Sequence, residues 1–201
     1  NALGAEIVVL QEADKRMPPR PAALPQDMIK AAGWRIAPFS GPTGSLGWHG
    51  NAMLLRGTAQ LIETADIDLP GLEPRGAIRA ELNTSIGRIR IIGQHLGLVK
   101  RYRLLQIAAI MRHMHDLPAC ATILTGDFND WSRNPGSLGT SAHGLTFITT
   151  PPSFPAPRPV ARLDRFALSP ELQAITTGTY ITRPARVASD HLPVWADIIR
   201  R

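Results

Sequence analysis

Apolar β-type runs recur along this chain, and several of them end in side chains that bind metals or move protons. Residues 7–10 (IVVL) lead into Gln11 and Glu12, and the run at 88–94 ends in His95. The run at 121–126 ends in Asp127-x-Asn129, within the stretch ILTGDFNDW. Another apolar run carries Asp164, and Asp190-His191 come just before the last one. An unbroken β-branched segment such as Ile7–Leu10 reads as a strand covered on both sheet faces. A chain with many such segments and few helical ones must bury sheets inside and place helices outside.

The element reading follows from that constraint. Strands are expected at 51–56, 77–82, 88–96, 121–126, 160–168 and 172–181, with a loop from 188 feeding a last strand that ends by 199. Asn83 to Gly87 supply a hairpin turn. A short helix is expected within 23–34, closed by Gly33. Residues 101–116 form an amphipathic helix by the spacing of Leu104, Ile107, Ala108, Met111 and Met114. Segment 41–50 is turn-rich, and the proline-rich 151–159 cannot sit inside a sheet. Two hundred and one residues with 44% hydrophobic content suffice for one domain, 1–201, with a real core.

Composition narrows the function classes. No run reaches ~18 uninterrupted apolar residues, so no transmembrane segment is expected; no signal-peptide pattern is visible, and a lone cysteine suits a reducing compartment, which slightly favours a cytoplasmic setting. Cys120 is the single cysteine, so no internal disulfide forms, and its place beside an apolar strand predicts a buried thiol. The net charge is +6, and 19 of the 22 basic residues are arginine. Arginine forms bidentate bonds to phosphate, which favours a phosphorylated substrate, nucleic acid among them.

Brought together, the polar strand ends would repel. At ~4 Å and an effective dielectric near 20, each carboxylate pair costs about 4 kcal/mol. A divalent cation removes that cost. The candidate ligands are oxygens with no Cys–His cluster, so Mg²⁺ is expected first, with Mn²⁺ or Ca²⁺ next. A cation with few protein ligands keeps water and accepts a phosphate oxygen, which suits phosphoester hydrolysis. Taken singly, each residue has a plainer reading. Asp127 and Asn129 suit a turn, Glu12 a solvated strand end, and His95 and His191 satisfied loop histidines. Asp164, inside an apolar strand, needs a partner, and Arg165 points to the opposite face. His113 and His115 are two apart on a helix and read as surface residues. Trp131 reads equally as packing or as a wall of the substrate site.

The blocks QE, GNAMLLR, RGAIRAEL, QHLGL, GDFNDW, LDRFALS and SDHLPV follow one another from about residue 5 to 199. In that order they resemble the endonuclease/exonuclease/phosphatase superfamily. The resemblance implies a DNase I-like four-layer α/β sandwich, with two packed, mostly antiparallel sheets flanked by helices. It implies Glu12 as main metal ligand and Asp190 as a second metal or network carboxylate. Asp127 and Asn129 would position the attacking water and hold the phosphate. His191 would act as general base or acid, oriented by Asp164, with His95 as second imidazole. Asn51 would line the site, and Arg75 would contact phosphate. The resemblance also implies a first strand carrying an Asn, which the segment beginning at Asn1 does not match, so the domain is expected to be N-terminally incomplete. Tyr102 and Tyr180 lie outside the matching blocks, which weakens a general DNA-nuclease reading. The leading expectation is a Mg²⁺-dependent phosphodiesterase acting on nucleic acid, a phospholipid or a small phosphodiester. The alternatives are a phosphomonoesterase and an inactive nucleic-acid-binding module of the same fold.

Overall fold

The structure is a computed structural model, and it describes residues 2–15, 21–132, 138 and 144–201. In chain order the elements are β1 (Ile7–Leu10), α1 (Gln26–Ala31), β2 (Arg35–Ile36), β3 (Ala52–Leu55), β4 (Gln60–Asp68), β5 (Gly76–Thr84) and β6 (Gly87–His95). There follow α2 (Lys100–His115), β7 (Ala121–Asp127), β8 (Thr146–Phe147), β9 (Asp164–Leu168), β10 (Leu172–Thr179), α3 (Arg183–Ala188) and β11 (Val194–Arg200).

A six-stranded sheet, ordered β4-β5-β6-β7-β9-β8, forms the frame. It is mixed: β6 and β7 run parallel, joined by the α2 crossover, and its other pairs are antiparallel. Two smaller sheets, β1-β3-β2 and β10-β11, complete the strands. Among the described residues β1 pairs only with β3, and β11 only with β10.

Alternation along the strands sorts the core. Ile78, Ala80, Leu82, Ile89, Ile91 and Ile123 pack with Met53 and Leu55 of β3, with Ile7 and Val9 of β1, and with Ile198 of β11. Their in-line neighbours Ala77, Ile92 and Leu124 face the other way, against Ile107, Ile110 and Met111 of α2. Ile29 of α1 packs with Ala52 and Leu54, which carry the opposite face of β3. The face under α2 also buries a charge network, in which Arg79, Arg88 and Arg90 all donate to Glu81. Burial opposes ionisation of Glu81, but the bonds and charges of Arg90 and Arg88 outweigh it and hold the carboxyl below its ordinary range.

Several sequence expectations shift here. The buried stripe of α2 is Arg103, Gln106, Ile107, Ile110 and Met111, and Leu104 is exposed. Two polar residues displaced the expected apolar position because they fasten loops: Gln106 donates to the Pro70 carbonyl and accepts from the Gly97 amide. His113 is half-buried rather than a surface residue, while His115 is exposed. Burial lowers the His113 pKa, with Arg79 and Arg90 adding to the effect. Cys120 is only half-buried. Strand β4 was missed because QLIETADID is polar-rich, as befits a sheet edge that discourages pairing with other chains. Helix α3 was missed because it buries none of its six residues and so shows no periodicity; Thr182 caps it, accepting the Ala185 amide.

Candidate active site

Strand register builds the site. His95, the last residue of β6, lies opposite Asp127, the last of β7. Asp127 in turn lies opposite Asp164, the first of β9. Three chemically competent side chains therefore stand in one row across adjacent strands, which are spaced about 4.8 Å apart. This alignment needs Gly126. Its φ is +133°, and a Cβ there would lie 2.0 Å from the Gln94 carbonyl oxygen, so β6 and β7 meet closely just before the row.

The turn after β7 fixes the next groups. Phe128 is fully buried in the α2-side core, and its amide donates to the Leu163 carbonyl. Asp127 and Asn129 flank this anchor. The Asn129 amide donates to Asp127 Oδ1 at 2.8 Å, and Asn129 Nδ2 donates to the Leu96 carbonyl at 2.8 Å. One amide hydrogen of Asn129 is thus committed to the backbone. Asn129 holds a φ of +49°, and among the described residues the other non-glycine residues with positive φ are Glu12 (+53°) and His49 (+47°). Left-handed backbone at side-chain-bearing residues stores strain and clusters at functional sites.

His191 reaches the row from the loop before β11. Its Nδ1 lies 2.8 Å from Asp164 Oδ2, the same oxygen that accepts the Ser153 hydroxyl. The Ala156 amide donates to the Asp190 carbonyl and the Leu192 amide to that of Ser153, which locks this loop to the proline-rich one. Burial alone would depress the His191 pKa. The bond and charge of Asp164, with the charges of Asp127 and Asp190, reverse this and raise it to about 9. For Asp127, burial and the charge of Asp164 raise the pKa to about 6, against the Asn129 amide, His191 and Arg75.

On the other flank, Arg75 NH1 lies 2.8 Å from the His95 ring nitrogens, while Arg75 also pairs with Glu73. A nitrogen that accepts this N–H needs a lone pair. With Nδ1 accepting, Nε2–H is left to face Asp127 Oδ2 at 3.4 Å. Asn51 is wholly buried and donates through Nδ2 to the Gly76 and Trp48 carbonyls. Its Oδ1 is buried without a hydrogen-bond partner among the described residues. Glu12 lies next to Gly50, whose carbonyl accepts the Ala13 amide, so Glu12 and Asn51 are neighbours. Asp190 is exposed. Among the described residues, no three His, Cys, Asp or Glu side chains are grouped to hold a metal. As the sequence implied, Arg165 is turned away from Asp164; it reaches Asp130 on the opposite face, where Arg103 also converges.

Sequence reading missed Ser153, hidden in a proline-rich segment. It also missed Phe154, whose ring centroid lies 4.8 Å from that of His191 and 5.8 Å from that of Trp131. Only contact with Asp164 or His191 singles these residues out.

Comparison with known proteins agrees with this architecture. The chain is 32% identical over 165 residues to an uncharacterised Escherichia coli K12 protein, YbhP. That match covers 76% of this chain but only 63% of the relative's length. The catalytic domain of human Nocturnin, solved with a bound sulfate, superposes with a TM-score of 0.75 at 19% identity, covering 100% of this chain and 83% of that one. TDP2 from D. rerio, solved with a single-stranded DNA product, gives 0.72 at 15% identity, covering 98% and 87%. The profile of the endonuclease/exonuclease/phosphatase family matches residues 1–191. With the row of His95, Asp127 and Asp164 carried on that frame, the chain belongs to the endonuclease/exonuclease/phosphatase family.

Proposed function

We propose that this chain is a divalent-cation-dependent phosphoester hydrolase, and a phosphodiesterase before a monoesterase. The observation that carries the reading is the cross-strand row His95–Asp127–Asp164, with His191 bonded to one end and Arg75 to the other. The four-layer sandwich belongs to the same proposal, with α1 and α2 covering the outer faces of two stacked sheets.

The two perturbed groups divide the proton work. Asp127, with its pKa at about 6, is ionised at neutral pH yet basic enough to take a proton from an attacking water. His191, at about 9, enters as the imidazolium. It donates to a phosphate oxygen or the leaving oxygen as charge builds there, while Asp164 fixes its ring. Arg75 stands on the far side to receive a non-bridging oxygen, beside His95, whose Nε2–H faces Asp127. The second N–H of Asn129 orients the water or the phosphate.

A hard divalent cation suits the remaining groups. Asn51 Oδ1 is buried with no hydrogen-bond partner among the described residues, and the neighbouring Glu12 carboxylate is an oxygen donor of the same hard kind. Glu12 would hold the ion, with Asp190 and Asn51 supporting it. When bound, the cation would supply Lewis-acid stabilisation of phosphate charge.

The test uses bis(4-nitrophenyl) phosphate, 4-nitrophenyl phosphate, plasmid DNA, RNA and a phospholipid, each with Mg²⁺ or EDTA. EDTA-sensitive cleavage of the diester that is lost in Asp127→Ala and in His191→Ala supports the reading. Cleavage surviving both substitutions would place the chemistry elsewhere. No cleavage of any substrate would favour the inactive binding module.

A further inference from the structure

The loops around the site share one end of the six-stranded sheet. Residues 69–75 lead into β5, whose Ala77 pairs with Gln94 at the end of β6, and residues 96–99 follow His95 directly. Residues 155–163 lead into Asp164, and residues 180–193 join β10 to β11 and carry His191. These loops bring large apolar side chains to the surface. On the Arg75 side they are Leu72, Leu98 and Val99, which line one shallow groove with Tyr102. On the His191 side they are Val160, Ile181 and Val187. Leu72 and Val187 are 84% and 82% exposed, and the exposed Trp131 packs edge-on to Phe154, which in turn touches His191.

Exposed cations alternate with these apolar tips. Lys100 and Arg101 follow Val99, Arg158 and Arg162 flank Val160, and Arg183 and Arg186 precede Val187. The acidic counterweight on the same loops is small: Asp190 is exposed, and Glu73 is paired with Arg75. Isolated surface leucines or valines need no explanation, but a ring of them around a catalytic mouth, interleaved with Lys and Arg, does.

Building on the phosphoesterase reading, we infer that this rim docks on an anionic phospholipid surface and delivers a lipid head-group phosphoester to the site. Aliphatic tips gain free energy by leaving water for the boundary between head groups and acyl chains, and each nearby cation gains about 1 kcal/mol at an anionic surface. An exposed tryptophan is suited to the same boundary. Nucleic acid fits less well. Its phosphates would satisfy the arginines, but leucine, isoleucine and valine tips cannot stack on bases as aromatic rings do. With one apolar set on each side, a membrane lying across both would bring its phosphate groups over the row between Arg75 and His191.

The full chain is sedimented with vesicles of phosphatidylcholine alone and of phosphatidylcholine with phosphatidylglycerol. In parallel it is titrated with a single-stranded oligodeoxynucleotide. The wild type is expected to bind the phosphatidylglycerol vesicles and to bind the neutral ones weakly. Leu72→Ser with Val187→Ser removes apolar tips without changing charge, and Arg183→Gln with Arg186→Gln removes charge alone. Each pair is expected to weaken vesicle binding roughly tenfold. Hydrolysis of soluble bis(4-nitrophenyl) phosphate should stay at the wild-type rate in both pairs. Failure of the wild type to sediment with anionic vesicles overturns the inference. So does unchanged vesicle binding by the serine pair, or tighter binding of the oligonucleotide than of vesicles. Vesicle binding that depends on both pairs, in a protein that cleaves nothing, supports the docking surface and removes only the enzyme reading.

Discussion

Asp164 is the residue on which the site turns. Its carboxylate accepts from both His191 and Ser153, and its charge pushes Asp127 upward while it pulls His191 into the charged form. In metal-free protein, Asp164→Asn should bring the His191 pKa down from about 9, as read from its imidazole resonances by NMR. Activity should fall roughly 10²-fold or more. Stability carries the same signature. Both perturbed groups bind protons more tightly when folded, so each contributes stability that fades as pH rises. His191 contributes fully below its ordinary value of 6.5 and loses that contribution as pH rises through about 9. Asp127 adds a loss between its ordinary 3.8 and about 6. Denaturant midpoints of metal-free protein should therefore decline across both windows; Asp127→Asn should abolish the lower one and narrow the upper, because the Asp127 charge helps to raise His191.

At the scale of elements, the site depends on how β7 ends. Gly126 permits the close approach to β6, so Gly126→Ala forces a Cβ onto the Gln94 carbonyl at a strained φ. It should cost about 2–3 kcal/mol of stability in urea denaturation and should displace Asp127 from His95. The turn is also clamped from behind. Arg165 of β9 donates to the Asp130 carbonyl and carboxylate and to the Ser132 carbonyl, and Arg103 of α2 approaches the same carboxylate. Removing the anion from between two buried guanidinium groups leaves uncompensated charge. Asp130→Ala should thus destabilise by about 3–5 kcal/mol in the same assay.

For the whole molecule, the proposed cation would tie Glu12 and Asn51, beside the small β1-β3-β2 sheet, to Asp190 of the loop before β11. A ligand that binds only the folded state stabilises it by mass action, by about 2.7 kcal/mol at one hundred times its dissociation constant. Mg²⁺ should raise the thermal midpoint of the wild type, and EDTA should reverse the rise. Glu12→Gln should lose most of the effect while keeping its metal-free midpoint. No helix among the described residues is long and apolar enough to cross a membrane.

The alternation and β-branching of the core strands were legible one element at a time, because covering both faces of a sheet demands a continuous apolar run. The motif order then marked Asp127, Asn129, Asp164 and His191 as candidates, because those residue types recur at strand ends. Elements with weak periodicity, the polar edge strand β4 and the unburied helix α3, left no such trace. The sequence could not place His95 opposite Asp127, or Asp127 opposite Asp164, because strand register depends on pairing between segments distant in the chain. Nor could it assign Ser153 to Asp164, Arg75 to His95, or Arg103 and Arg165 to Asp130. Those contacts, and the proton affinities they set, exist only once the chain has closed, because burial and neighbouring charge are properties of the assembled interior.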